Sequence, residues 1–203
     1  AMKILSFIIA LLLSHPFIFN NARRLVAGEQ ENTKEFVKEN LLRYETKTVL
    51  DIGAGTGEFV EAVPKSNKYL GVDLSKRFIF FARKRIRRKK VEFTTQDIRD
   101  KKFYRKRKFD AVLFISMLHH LSDEELEELL PIIRKVTRKV VIIADIIPNP
   151  QGILRKLMVK LDQGKFVRSK EQKIRILKRH FKVVESKIIP SRLAVQLGIV
   201  CEV

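Results

Sequence analysis

The sequence has one cysteine, Cys201, in 203 residues. A lone thiol forms no internal disulfide and cannot build a cysteine-based metal site. A disulfide framework is therefore excluded, and a reducing cytoplasm suits the composition. Acidic residues are scarce, at 23 against 42 Lys and Arg, which leaves a formal charge of +19. Internal repeats and low-complexity linkers are absent. Apolar runs of membrane-spanning length are also missing: the longest early run, Ile4–Leu13, is too short to cross a bilayer as a helix. It resembles the apolar part of a signal peptide, but Ser14, His15, Pro16 and Phe17 offer no small-residue cleavage site. The expectation is an apolar helix packed on the domain, with contact at a membrane interface as the alternative.

What is present is the composition of a globular chain, 45% hydrophobic and 32% charged. The length suits one ordinary domain. The positive charge favours an anionic partner such as nucleic acid, an acidic membrane surface or an anionic substrate. A solvated Lys/Arg-rich surface accounts for it equally well.

Residues Glu29–Tyr44 have helical apolar spacing. Short β-rich runs then alternate with helical stretches. The strands are expected at Thr48–Ile52, Tyr69–Val72, Val91–Thr94, Ala111–Ile115, Lys139–Ala144, Lys182–Ile189 and Leu193–Glu202. Helices are expected at Glu58–Val63, Ser75–Arg88, Asp123–Val136, Ile153–Lys160 and Lys170–His180. Such alternation, with continuous apolar strands, predicts an α/β fold: a Rossmann-like, mostly parallel sheet of seven strands with helices on both faces. Pro190 and Ser191 leave no room for a crossover helix, so the C-terminal strand should run antiparallel.

Four strand ends carry polar or glycine-rich motifs. The first, Asp51-Ile52-Gly53-Ala54-Gly55-Thr56-Gly57, turns from a strand into a helix start. Glycines permit the sharp turn and the close approach of a ligand. The spacing is G-x-G-x-G, not the G-x-G-x-x-G of dinucleotide binders. Asp51 precedes it, and a carboxylate there serves a ligand with a cationic amino-acid end, directly or through water. The second motif, Gly71-Val72-Asp73-Leu74-Ser75, ends the next strand. Asp73 either accepts from two ribose hydroxyls or caps the following helix. In the third, Gln96-Asp97-Ile98, Asp97 suits an adenine amino group and the Ile98 backbone the ring edge; a plain turn is the alternative. The fourth strand runs into Ser116-Met117-Leu118-His119-His120. Either histidine could serve as general base, or one could pack and cap the turn.

The segments VLDIGAGTGEF, YLGVDLS, TTQDI and FDAVLFISMLHHLSDEE resemble the successive motifs of class I S-adenosylmethionine (SAM)-dependent methyltransferases. The closest likeness is to the small-molecule "methyltransferase type 11/12" group, over roughly Val49–Val203. In RHFKVVES, His180 stands where that group commonly has glycine. The resemblance implies SAM as cofactor and no metal. It places Asp51, Gly53 and Gly55 at the methionine part, Asp73 at the ribose, and Asp97 and Ile98 at the adenine, with Ala54, Gly57 and Leu74 also binding the cofactor. Ser116 and Met117 would lie near the methyl group. No Asn/Asp-Pro-Pro-Tyr/Phe sequence follows the fourth strand, unlike the amino-methylating enzymes of nucleic acids and many proteins. Cys201, in the last strand, does not suit a cysteine-nucleophile mechanism.

The resemblance divides the chain into an N-terminal helical segment, residues 1–45, that covers the site, and a SAM-binding domain, residues 46–203. The implied function is methyl transfer to a small-molecule or lipid acceptor beneath 1–45 and the Ile153–Lys173 insertion. RNA methylation and SAM binding without turnover are the alternatives. The oligomeric state is not legible. The basic runs Arg83–Lys90 and Lys101–Lys108 precede strands and should lie at the sheet edge opposite the site. Arg155, Lys156, Lys160, Lys165, Arg168 and Lys170 read as a basic amphipathic stretch near the acceptor.

Overall fold

The computed structural model describes residues 30–105, 107–148, 166–190 and 195–203. The apolar run Ile4–Leu13 and the expected helix Ile153–Lys160 lie outside them. The strands are β1 (Thr48–Ile52), β2 (Lys68–Asp73), β3 (Val91–Thr95), β4 (Phe109–Ile115), β5 (Thr137–Ile147), β6 (Lys182–Pro190) and β7 (Val195–Glu202). The helices are α1 (Glu31–Arg43), α2 (Lys76–Arg85), a single turn α3 (Lys101–Tyr104), α4 (Asp123–Val136) and α5 (Lys170–Leu177). Two 3-10 segments, Glu58–Ala62 and Leu118–His120, follow β1 and β4.

All seven strands form one sheet in the order β3-β2-β1-β4-β5-β7-β6. Pairing is parallel from β3 through β5 and antiparallel for β5 with β7 and β7 with β6. The expected terminal reversal is present: β7 lies between β5 and β6.

Side chains alternate across the strands and divide the core in two. Leu50, Ile52, Val112, Phe114, Val141 and Ile143 face α4 and α5. Val49, Tyr69, Ala111, Leu113, Val140 and Ile142 face α1, α2 and the first 3-10 segment. The face of α4 that buries Leu126, Leu129, Leu130, Ile133 and Val136 repeats at helical spacing. At about 1.5–3 kcal/mol per buried aliphatic side chain, this face contributes roughly 10 kcal/mol before entropy is counted. A reciprocal cap starts the helix: Ser122 Oγ accepts from Glu125 N–H, and Glu125 accepts from Ser122 N–H. Ser169 and Gln172 start α5 in the same way.

α1 belongs to this core, since Phe36, Val37 and Leu41 are buried against the sheet. The helix expected at Glu58–Val63 is instead a five-residue 3-10 helix, Glu58–Ala62. Its brevity has a local cause: Gly57 is left-handed before it, and Pro64 holds Val63 extended after it.

Candidate active site

The C-terminal ends of four parallel strands, β1 to β4, bring the sequence motifs to one edge. After β1 the chain turns through three left-handed glycines, Gly53 (φ 75°), Gly55 (φ 53°) and Gly57 (φ 77°). A β-carbon at Gly53 would lie 2.4 Å from Met117 Sδ. The fourth motif therefore closes directly over the first. The turn is tied to β2: Gly53 and Ala54 N–H both bond the Val72 carbonyl, at 2.9 and 3.0 Å.

Asp73 completes the tie. Its Oδ2 accepts from Gly55 N–H at 2.9 Å, and its Oδ1 accepts from Ser75 N–H at 2.7 Å. The helix cap itself is Ser75, which accepts from Phe78 N–H. Each Asp73 oxygen keeps a lone pair, which suits two ribose hydroxyls. Leu74 beside it is 66% exposed, an apolar surface available to an adenine ring.

Asp51 lies beneath the turn, buried, with its Oδ2 accepting from Tyr69 O–H at 2.6 Å. Burial pushes its carboxyl up to about 7, with Tyr69 opposing and Asp73 adding a smaller upward push. Asp97 is partly exposed, and Arg99 grips both its oxygens in a fork. The Arg99 hydrogen bond and charge hold this carboxyl below its ordinary value, against the effect of burial. Ile98 is buried in the core. Ser116 takes a left-handed turn (φ 54°) as its N–H bonds the Ala144 carbonyl at 2.8 Å.

The two histidines differ. His119 is buried at 2% exposure, and its Nδ1 meets the Asp145 carboxylate. His120 is exposed, and its ring centroid lies 4.1 Å from that of His119. Asp145, at the end of β5, is fully buried and also accepts from Ile146 N–H at 2.7 Å and from Lys173 Nζ at 3.0 Å. As the carboxylate accepts, Nδ1 carries a proton.

Sequence reasoning missed Asp145, Lys173 and Tyr69. Asp145 could have been found, because it follows an apolar strand run as Asp73 and Asp97 do. Arg168, read as part of a basic surface, is buried instead. It donates to the carbonyls of Leu118 at 2.7 Å, Phe166 at 3.1 Å and Leu121 at 2.8 Å, and it pairs with Asp123. It fastens the histidine turn to the segment entering α5.

Much of the remaining charge sits at the other edge. Arg88 donates to the carbonyls of Val60 and Val63 at 2.9 Å and of Pro64 at 2.5 Å. An open pocket of about 550 Å³ lies there, lined by Lys108, Pro131, Arg134, Lys135, Thr137, Arg179, His180 and Val203. None of the cofactor-motif residues lines it. Among the described residues, no helix is long and apolar enough to cross a membrane. Nor does any group of three or more His, Cys, Asp or Glu among them suit a metal ion.

Residues 49–140 match the methyltransferase domain family. No curated protein matches the sequence. Among solved structures, the chain is similar to magnesium protoporphyrin IX methyltransferase from Synechocystis with bound S-adenosylhomocysteine. That likeness has 17% identity and a TM-score of 0.69, over 86% of this chain and 83% of the other. An O-methyltransferase family protein from Burkholderia thailandensis gives 17% identity and a TM-score of 0.72, over 91% of this chain and 58% of the other. The N-methyltransferase NodS from Bradyrhizobium japonicum gives 18% and 0.64, over 85% and 98%. The glycine turn, the strand-end acids and the reversed β7 agree with the family match: residues 49–140 carry a methyltransferase domain, on a fold shared with SAM-dependent methyltransferases.

Proposed function

We propose that the protein methylates a small-molecule or lipid acceptor whose nucleophilic atom carries a proton, with His119 as the general base. The observation that carries this reading is the buried contact of His119 with Asp145 at the ends of β4 and β5. Bound SAM supplies a methyl group already activated on a sulfonium, so the protein's task is to align acceptor and donor. The glycine turn Gly53–Gly57 holds the methionine part, supported from below by Asp51. Asp73 takes the ribose, and Leu74, the Ile98 backbone and the Asp97 carboxylate lie on the adenine side. Ser116 and Met117 stand at the methyl. Asp145 fixes the His119 tautomer, and Nε2 accepts the proton that the acceptor loses. The acceptor types named for the structural neighbours, porphyrin and other O- and N-acceptors, support a small molecule.

The test is methyl transfer from radiolabelled SAM to a panel of phenols, carboxylic acids, amines and lipids. H119Q should retain SAM binding and lose about 10²–10⁴-fold in kcat, the usual range for a general base. An unchanged kcat removes the base. SAM binding with no product across the panel favours a binding protein without turnover. The basic pocket at the opposite edge motivates a second reading, an RNA acceptor. RNA binding would fall steeply with salt, and a flat salt response eliminates it.

A further inference from the structure

Lys173 departs from the pattern of its helix. It shares the inward face of α5 with Ile176 and Leu177, at i+3 and i+4, where an apolar residue is expected. Its side chain is fully buried, as is Asp145. Desolvating each charge costs several kcal/mol, and apolar residues of similar volume often serve stability as well or better. A buried cluster of ionisable groups at the cofactor edge therefore points to chemistry.

The cluster has an asymmetry. One carboxylate faces two groups able to hold a positive charge, His119 at Oδ1 and Lys173 at Oδ2. Among the described residues, other ionisable groups close by are His120, on the same turn, and Arg168, on the segment entering α5 and paired with Asp123. Burial acts against the Asp145 charge, but His119 and Lys173 outweigh it and hold the carboxyl below its ordinary value. Burial also draws the Lys173 ammonium toward the neutral amine, and the Asp145 contact at 3.0 Å opposes that. A buried carboxylate is neutralised by one cation, and a second would leave the pocket positively charged.

We propose that Lys173 is a positioning residue for His119: by supplying the counter-charge to Asp145, it leaves the imidazole neutral, with Nδ1–H toward Asp145 and the lone pair on Nε2. Without Lys173, Asp145 would draw a proton onto His119 and the ring could no longer accept one from the acceptor. This rests on the reading of His119 as base, but its own test does not require an acceptor.

The chain has four histidines, so its imidazole nitrogens are resolvable by long-range ¹H–¹⁵N NMR, with H119Q assigning the ring. At pH 7 wild-type His119 is expected neutral and protonated on Nδ1. In K173M it is expected cationic, with its titration midpoint raised by about 1–3 pH units. K173R, which keeps a cation, should return the neutral ring. Equal midpoints in wild type and K173M, or a cationic wild-type ring at pH 7, overturn the proposal. Should K173M fail to fold, K173R decides, since a cationic ring in that variant also overturns it. The H119Q methylation assay separates the two readings. Activity lost in H119Q with an unaltered ring in K173M keeps the base and removes the role of Lys173; the reverse keeps Lys173 and removes the base.

Discussion

Asp51 makes folding stability and site chemistry measurable in one residue. Its carboxyl is buried and pushed up to about 7 from an ordinary 3.8, chiefly by desolvation. In the unfolded chain it returns to the ordinary value. The folded state thus binds the proton more tightly, which favours folding fully below about pH 4. That stabilisation is lost as the pH rises through about 7. A gap of about three pH units at about 1.4 kcal/mol each amounts to about 4 kcal/mol. Asp51→Asn cannot ionise, while its side-chain oxygen still accepts from Tyr69. The unfolding free energy of D51N minus that of wild type should therefore rise by about 4 kcal/mol between pH 4 and pH 8. Asp97 and Asp110, whose carboxyls lie below their ordinary values, titrate in both proteins and cancel in the difference. Urea unfolding followed by far-UV circular dichroism suits a chain without tryptophan. A difference that stays constant across this pH range would refute the assignment of a buried, proton-holding carboxyl.

Three further outcomes are expected. Gly53→Ala forces a left-handed alanine, at about 1–2 kcal/mol. It also drives a β-carbon to 2.4 Å from Met117 Sδ, at about 1–3 kcal/mol. Adding Met117→Ala should recover the second part and not the first, and chemical unfolding that shows no coupling between the two sites disproves the contact. Leu74→Gln, at a 66% exposed position, should change stability by no more than about 0.5 kcal/mol. It should still weaken SAM binding about tenfold in a calorimetric titration, the equivalent of about 1.4 kcal/mol; an unchanged Kd rules out Leu74 as an adenine contact. Cys201 is fully buried, and burial pushes its thiol up to about 12, so a thiol reagent at pH 8 should modify it only as fast as the protein unfolds. Prompt labelling in native buffer would show that β7 opens locally.

The strands were legible because their cores are continuous apolar runs between turn residues, as Val140–Ala144 is. Their ends were less so. β5 continues to Ile147 because β7 pairs with it that far, up to Ile147 with Val195. That extension comes from a partner some fifty residues away, with no trace in the local pattern. It also places Asp145 inside the strand rather than just past it. The partners of Asp145 lie 26 and 28 positions from it in sequence, on a 3-10 turn and on a helix. Only the packed sheet unites them. The glycine turn was legible for the opposite reason, since its conformation depends on residue types within five positions. Arg88 shows how a charge run misleads: in sequence it belongs to a basic patch, while in the fold it satisfies three backbone carbonyls.

The placement of β7 bears on how this chain is made. During synthesis β5 emerges some fifty residues before the strand that covers its outer side, and β6 emerges before the neighbour that joins it to the sheet. Until Val195–Glu202 has left the ribosome, β6 has no connection to the sheet and the flank of β5 is open. The cofactor turn after β1 is complete long before that. A nascent chain could therefore shape its SAM cradle early, yet would have to keep two open strand edges from pairing elsewhere until β7 arrives.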